Sequence, residues 1–178
     1  MCAEYLPLGP RPVVSAHPES RVLLIGQAPG TRVHNSGIPW NDPSGDTLRE
    51  WLEMDKADFY DAQKIAIVPM GFCYPGKGKS GDLPPRPECA PLWHPRLVEA
   101  MPNIRLTLLI GQYAQRYYLK EHFGKNLTET VRNHRHYLPD FLPLPHPSPR
   151  NRLWLRRNPW FQEEVLPVLR QQMRRALS

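Results

Sequence analysis

The chain has 178 residues, 40% of them hydrophobic and 22% charged, and carries a net charge of +6. That balance suits one globular domain over residues 1–178 and excludes a disordered chain. No apolar run approaches the about 20 residues of a membrane span, and the N-terminus has no signal-peptide apolar stretch, so a cytoplasmic protein is expected.

Residues 1–20 hold Leu6-Pro7-Leu8-Gly9-Pro10-Arg11-Pro12, whose prolines predict an extended arm. Arg21-Val22-Leu23-Leu24-Ile25 then reads as a buried strand ending in the turn Gly26-Gln27-Ala28-Pro29-Gly30. Residues 30–43, rich in Gly, Pro and Asn, predict a long loop. Ser44 is the expected N-cap of a helix through about Met54, with Leu48, Trp51 and Leu52 on its apolar face. Ile65-Ala66-Ile67-Val68 is a second buried strand, stopped by Pro69, and residues 74–88 read as a surface loop without periodicity. Pro91 opens a helix to about Met101, and Trp93, like Trp51, is expected in the core. Leu106–Gly111 is a third strand, Tyr113–Glu121 a helix, and residues 127–137 one more helix. Phe141-Leu142-Pro143-Leu144-Pro145 is a short fourth strand, on an edge or at a sheet end given its prolines. A last helix spans about Pro159 to Ala176, with Phe161, Val165, Leu166 and Leu169 inward. Alternating strands and helices predict an α/β fold: three α/β/α layers around a mostly parallel four-stranded sheet.

In such sheets ligands sit in the crevice at the carboxyl ends of the strands. Gly26–Gly30 is therefore one wall of a site, and His146-Pro147-Ser148-Pro149-Arg150-Asn151 the opposite wall. The basic surplus favours a polyanionic partner, and Lys77, Lys79, Arg156 and Arg157 are candidate phosphate contacts. The three cysteines Cys2, Cys73 and Cys89 are an odd number, which argues against a disulfide framework. His134 and His136 form an H-x-H pair with no further ligands at zinc spacing.

These stretches resemble the uracil-DNA glycosylase superfamily, in particular its family 4 and family 5 branches. Gly26-Gln27-Ala28-Pro29-Gly30 looks like the first motif of family 4, with Gln27 where that family commonly has Glu. Gly37-Ile38-Pro39-Trp40 is similar to the Gly-x-Pro-Phe segment whose ring stacks on the flipped base. Asp42-Pro43-Ser44-Gly45-Asp46 is similar to a family 5 segment whose first Asp is a catalytic candidate, and His146-Pro147-Ser148 to the second motif of the superfamily. Two positions depart from the pattern. The general-base Asp of other members falls at Ala28, and the Asn that reads uracil aligns roughly with Pro69 or Met70.

The resemblance implies a monofunctional DNA repair glycosylase, expected as a monomer, that removes uracil or other deaminated bases with water as nucleophile. On that reading Asp42 supports the sugar cation and orients the water. His146 donates to the departing base, and Gln27 and Ala28 act through backbone N–H groups. Trp40 and Ser148 join the base site, Asn151 and Arg152 contact DNA, and Arg150 fills the gap left by the flipped base. A [4Fe–4S] cluster is also implied, with Cys73 and Cys89, sixteen apart, as its later ligand pair and Cys2 as one of the early pair. The fourth ligand is not found: either the chain begins after it, or another residue or solvent takes the place. The alternative is a non-catalytic binder of damaged or single-stranded DNA on the same fold.

Overall fold

The structure is a computed structural model that describes residues 2–178. Four parallel strands form the central sheet: β1 (Val22–Ile25), β2 (Ile65–Ile67), β5 (Leu106–Ile110) and β6 (Phe141–Leu144), in the order β2-β1-β5-β6. Their apolar runs bury both faces, which is why no polar alternation shows in the sequence. Val22 and Leu24 enter one core with Leu106, Leu108, Leu142 and Leu144, while Leu23 and Ile25 enter the other with Ala66, Val68 and Leu109. Helix α2 (Pro43–Leu52) and helix α8 (Leu166–Leu177) pack in the first core through Leu48, Trp51, Leu52, Leu169 and Met173. Helix α4 (Cys89–Glu99) and helix α5 (Gln112–Leu119) cover the second through Ala90, Ala114 and Leu119. The three expected layers are present. Pro143 sits on edge strand β6 opposite Leu109, where a missing N–H costs no ladder bond on its open side. The other edge, β2, is covered by the N-terminal arm through an antiparallel bridge between Ser15 and Ile67.

Several local expectations are corrected. Residues 30–43 are not one loop: helix α1 (Thr31–Ser36) follows Gly30 and is closed by Gly37 at φ 72°. Asp42, not Ser44, caps α2, its Oδ1 accepting from Gly45 N at 2.8 Å, with Pro43 at the helix start. Helix α3 (Lys56–Phe59) follows as a single turn. Residues 74–88 contain a hairpin of two-residue strands, β3 (Lys77–Gly78) and β4 (Gly81–Asp82). Residues 127–137 split into helix α6 (Leu127–Arg132) and a tight turn at His134–Tyr137. Helix α7 (Arg152–Arg157) precedes the last helix, whose first turn, Phe161–Val165, is wound as a π-helix. Trp93 is 43% exposed rather than core, because it stands on the outer face of α4. Within the H-x-H pair His134 is buried and His136 exposed, so the two rings do not converge on one ligand.

Candidate active site

The turns that follow β1, β5 and β6 open a cleft of about 650 Å³ at the carboxyl end of the sheet. Gly26–Gly30, Trp40, Asp42, His146 and Ser148 line it, so two stretches more than 100 residues apart in sequence share one cavity. The indole of Trp40 lies against Gly26, where a Cβ would stand 2.8 Å from Cζ2. It also faces His146, with ring centroids 5.6 Å apart and planes inclined at 32°.

Trp40 holds a left-handed backbone, φ 57°, which a bulky residue adopts only under constraint. The constraint is buried Arg49 on α2. Its Nη1 donates to Trp40 O at 3.3 Å and to Tyr60 Oη at 3.2 Å, and its Nη2 to Asp46 Oδ1 at 2.6 Å. The Tyr60 hydroxyl donates in turn to Pro39 O at 2.8 Å. Gly45 completes the fit, since the Trp40 carbonyl occupies the space a Cβ would need. Asp46 is thereby a structural partner of Arg49 in the first turn of α2.

His146 is placed by the strand ends beneath it. Gln115, fully buried on α5, donates from Nε2 to Leu109 O at 3.1 Å and to Leu144 O at 2.9 Å, tying β5 to β6. Gly111, at φ 86°, holds a backbone conformation that L side chains rarely adopt, and a Cβ there would stand in ordinary contact with His146, 3.9 Å from its Cβ. Asn151 Nδ2 donates to His146 O at 2.7 Å, and Ser148 N donates to His146 Nδ1 at 3.2 Å. With Nδ1 accepting, the neutral ring carries its proton on Nε2. Burial pushes the His146 pKa below its ordinary value, against the opposing pull of Asp42. The cleft thus holds a neutral imidazole with one N–H to give.

The remaining expected residues divide. Gln27 and Ala28 are half-buried in the cleft wall, and Gln27 Nε2 also reaches Leu83 O at 3.4 Å. Arg150 lines the cleft and crosses it, donating from Nη1 to Ser80 O at 2.9 Å on the turn of the β3–β4 hairpin. Lys77 and Lys79 are exposed on that hairpin, and Arg152 is exposed at the start of α7, all outside the cleft lining. Sequence reasoning missed Arg49, Gln112 and Asp82. Asp82 lies at the mouth with Oδ2 turned toward Gly30, and partial burial pushes its carboxyl up, against Arg150 and Lys77. Gln112 directly follows the third strand, so the rule that sites lie at strand carboxyl ends pointed to it. Asp82 sat in a loop with no comparable signal.

The cysteines do not complete a cluster site. Four thiolates are the rule for [4Fe–4S] centres, and the chain has three cysteines. Phe72 N donates to Cys89 Sγ at 3.4 Å, and burial pushes the thiols of Cys73 and Cys89 up, toward the protonated form. Among the described residues no group of three or more His, Cys, Asp or Glu side chains is gathered closely enough to hold a metal ion. The donor set does not fit a four-thiolate cluster.

A pocket at the sheet's carboxyl end, walled by an indole, a carboxylate and an imidazole that donates from Nε2, is suited to hold a flat heterocycle and to take up negative charge on one of its oxygens. Residues 14–170 match the family model described as the uracil DNA glycosylase superfamily, nearly the whole chain and both walls of the cleft. The chain belongs to the uracil DNA glycosylase superfamily.

Proposed function

We propose that this protein is a monofunctional DNA glycosylase that hydrolyses the N-glycosidic bond of uracil or another deaminated base, with water as nucleophile. The observation that carries the reading is the meeting of Trp40, Asp42 and His146 in one cleft, with the His146 proton on Nε2. A base inside a duplex is out of reach, so the target nucleotide is extruded at a cost of about a few kcal/mol. Its base lies against Trp40, where stacking returns about 1–3 kcal/mol. His146 Nε2–H donates to a base carbonyl oxygen as the bond to C1′ breaks and the electron pair leaves with the base. The sugar passes through an oxocarbenium-like state, as in glycoside hydrolysis, and the Asp42 carboxylate supports that charge. Water adds to C1′ and loses its proton to Asp42, giving an abasic site and the base anion; the anion takes up a proton from solvent and Asp42 releases its own to solvent. Ser148 completes the base site. Arg150 fills the vacated stack, and Asn151, Arg152, Lys77 and Lys79 serve DNA. Kinship to the family 4 and family 5 branches is part of this proposal.

The test uses oligonucleotides that carry uracil, hypoxanthine or xanthine, treated with alkali after incubation. Alkali-dependent strand cleavage that falls about 10²–10³-fold in His146→Ala supports the reading. Binding without abasic product supports the non-catalytic alternative, which one observation favours: Ala28 offers no carboxylate and Asp42 already spends one oxygen on the α2 cap.

A further inference from the structure

A second groove, of about 480 Å³, opens beside the cleft, between the start of α5 and the proline run that follows the hairpin. Its walls are Pro84, Pro85 and Pro87 on one side and Tyr113 and Tyr117 on the other, with Arg116 at the rim. It neighbours the cleft at two points. Tyr113 lines both cavities. The chain also runs from Asp82 in the cleft through Leu83, whose carbonyl is held by Gln27, directly into Pro84.

The walls are flat, apolar and pre-set: prolines fix their own φ, so little freedom is lost when something lies against them. Charge is available at one place. Arg86 is committed to Glu88, with contacts of 3.2 and 2.5 Å, and lies over Tyr5. Arg116 is exposed, rests on the Phe123 ring at 4.5 Å, and has no carboxylate partner among the described residues. An aromatic wall with a free guanidinium at its edge is what one nucleotide of a single strand needs: a stacking surface for the base and a cation for the phosphate.

We infer that this groove takes the nucleotide next to the extruded one, its base stacked on Tyr113 and its phosphate at Arg116. The inference rests on the reading of the cleft as a DNA site. It implies that the protein grips at least one unpaired neighbour of the target, so a strand that is single or locally opened is the preferred substrate.

The experiment is fluorescence anisotropy with labelled single-stranded oligonucleotides about ten nucleotides long. Each carries one uracil, with the base of either the 5′ or the 3′ neighbour present or removed to leave sugar and phosphate only. In the wild type, removing the base on one side weakens binding roughly tenfold, and on the other side much less. In Tyr113→Ala the intact strand binds as weakly as the base-less one, and removing the neighbouring base has no further effect. Arg116→Gln weakens both strands equally and lowers the slope of log affinity against log salt by about 0.7. If the wild type is indifferent to both neighbouring bases, or if Tyr113→Ala loses the same factor on intact and base-less strands, the groove is not a nucleotide subsite. Catalysis is read separately from the abasic product. A neighbour-base effect without product leaves the groove and removes the glycosylase; product without the effect does the reverse.

Discussion

Asp42 divides its two carboxylate oxygens between fold and site. Oδ1 is the α2 cap, accepting from Gly45 N, and the residue also faces the cleft. The two duties separate by substitution, because Asn caps a helix about as well as Asp whereas Ala does not. Asp42→Asn is expected to melt like the wild type while glycosylase turnover falls at least tenfold. Asp42→Ala loses turnover and about 1 kcal/mol of stability as well. Thermal melts paired with single-turnover cleavage of a uracil oligonucleotide check both. Full turnover by Asp42→Asn would leave Asp42 a cap and nothing more. The sequence held the clue to that cap. Ser44 and Asp42 are both good capping residues, but Pro43 lies between them and proline favours the first helical position, which makes the residue before it the cap. The pairing of Trp40 with His146 was legible as two motifs. The tautomer was not, because it depends on the direction of one backbone N–H, that of Ser148.

At the scale of elements, the stack of α2 beneath the Pro39–Trp40 turn governs the site. Arg49 reaches Trp40 O, Tyr60 Oη and Asp46 together, and its guanidinium lies 5.2 Å from the centroid of the Phe59 ring. An ammonium group has no planar fork and cannot serve the same three acceptors. Arg49→Lys and Arg49→Met are therefore both expected to lose about 1–3 kcal/mol of stability, the cost of polar groups left without partners. Well below the melting temperature both should also show a raised KM, since the Trp40 turn is no longer held. Melting curves and steady-state kinetics at low temperature decide it, and wild-type KM in both variants would show that the turn holds its shape unaided. Long elements with strong apolar runs, β1, β5 and α8, were legible because burial alone dictates them. Helix α1 was not: it has six residues and its apolar content is Val33, so no period can show. The β3–β4 hairpin was hidden for a related reason, its strands being two residues each with Lys77 and Asp82 exposed. Tertiary contacts at Gln27 and Arg150 hold it, and local pattern does not register those.

Over the whole molecule, strand–helix alternation gave the layered architecture, while the order β2-β1-β5-β6 rests on which edges meet after folding and has no local signature. The same packing buries His94 and His134 and half-buries His146, in different parts of the fold. His94 lies between Tyr118 Oη at 2.7 Å and Pro69 O at 2.9 Å, His134 sits on Val131 O at 3.1 Å, and His146 stands in the cleft. Burial pushes all three below the ordinary histidine value. In the interval between the folded values and about 6.5, the unfolded chain therefore binds more protons than the native one, and stability rises with pH across it. Above about 6.5 both states are neutral at these sites and the dependence flattens. The displaced carboxyls act lower. Glu88 is held down by its hydrogen bond to Arg86, so its contribution is lost only as pH falls below the usual carboxylate range. Asp82 is pushed up by burial and has the opposite sign. Urea unfolding at pH values from about 5 to about 8 should thus show stability that climbs to near neutrality and then holds. Asp42→Asn, which removes the charge that opposes the His146 shift, should steepen the climb. A flat profile across the same range would mean that the three rings titrate alike in the folded and unfolded chain, and that the interior admits their charge.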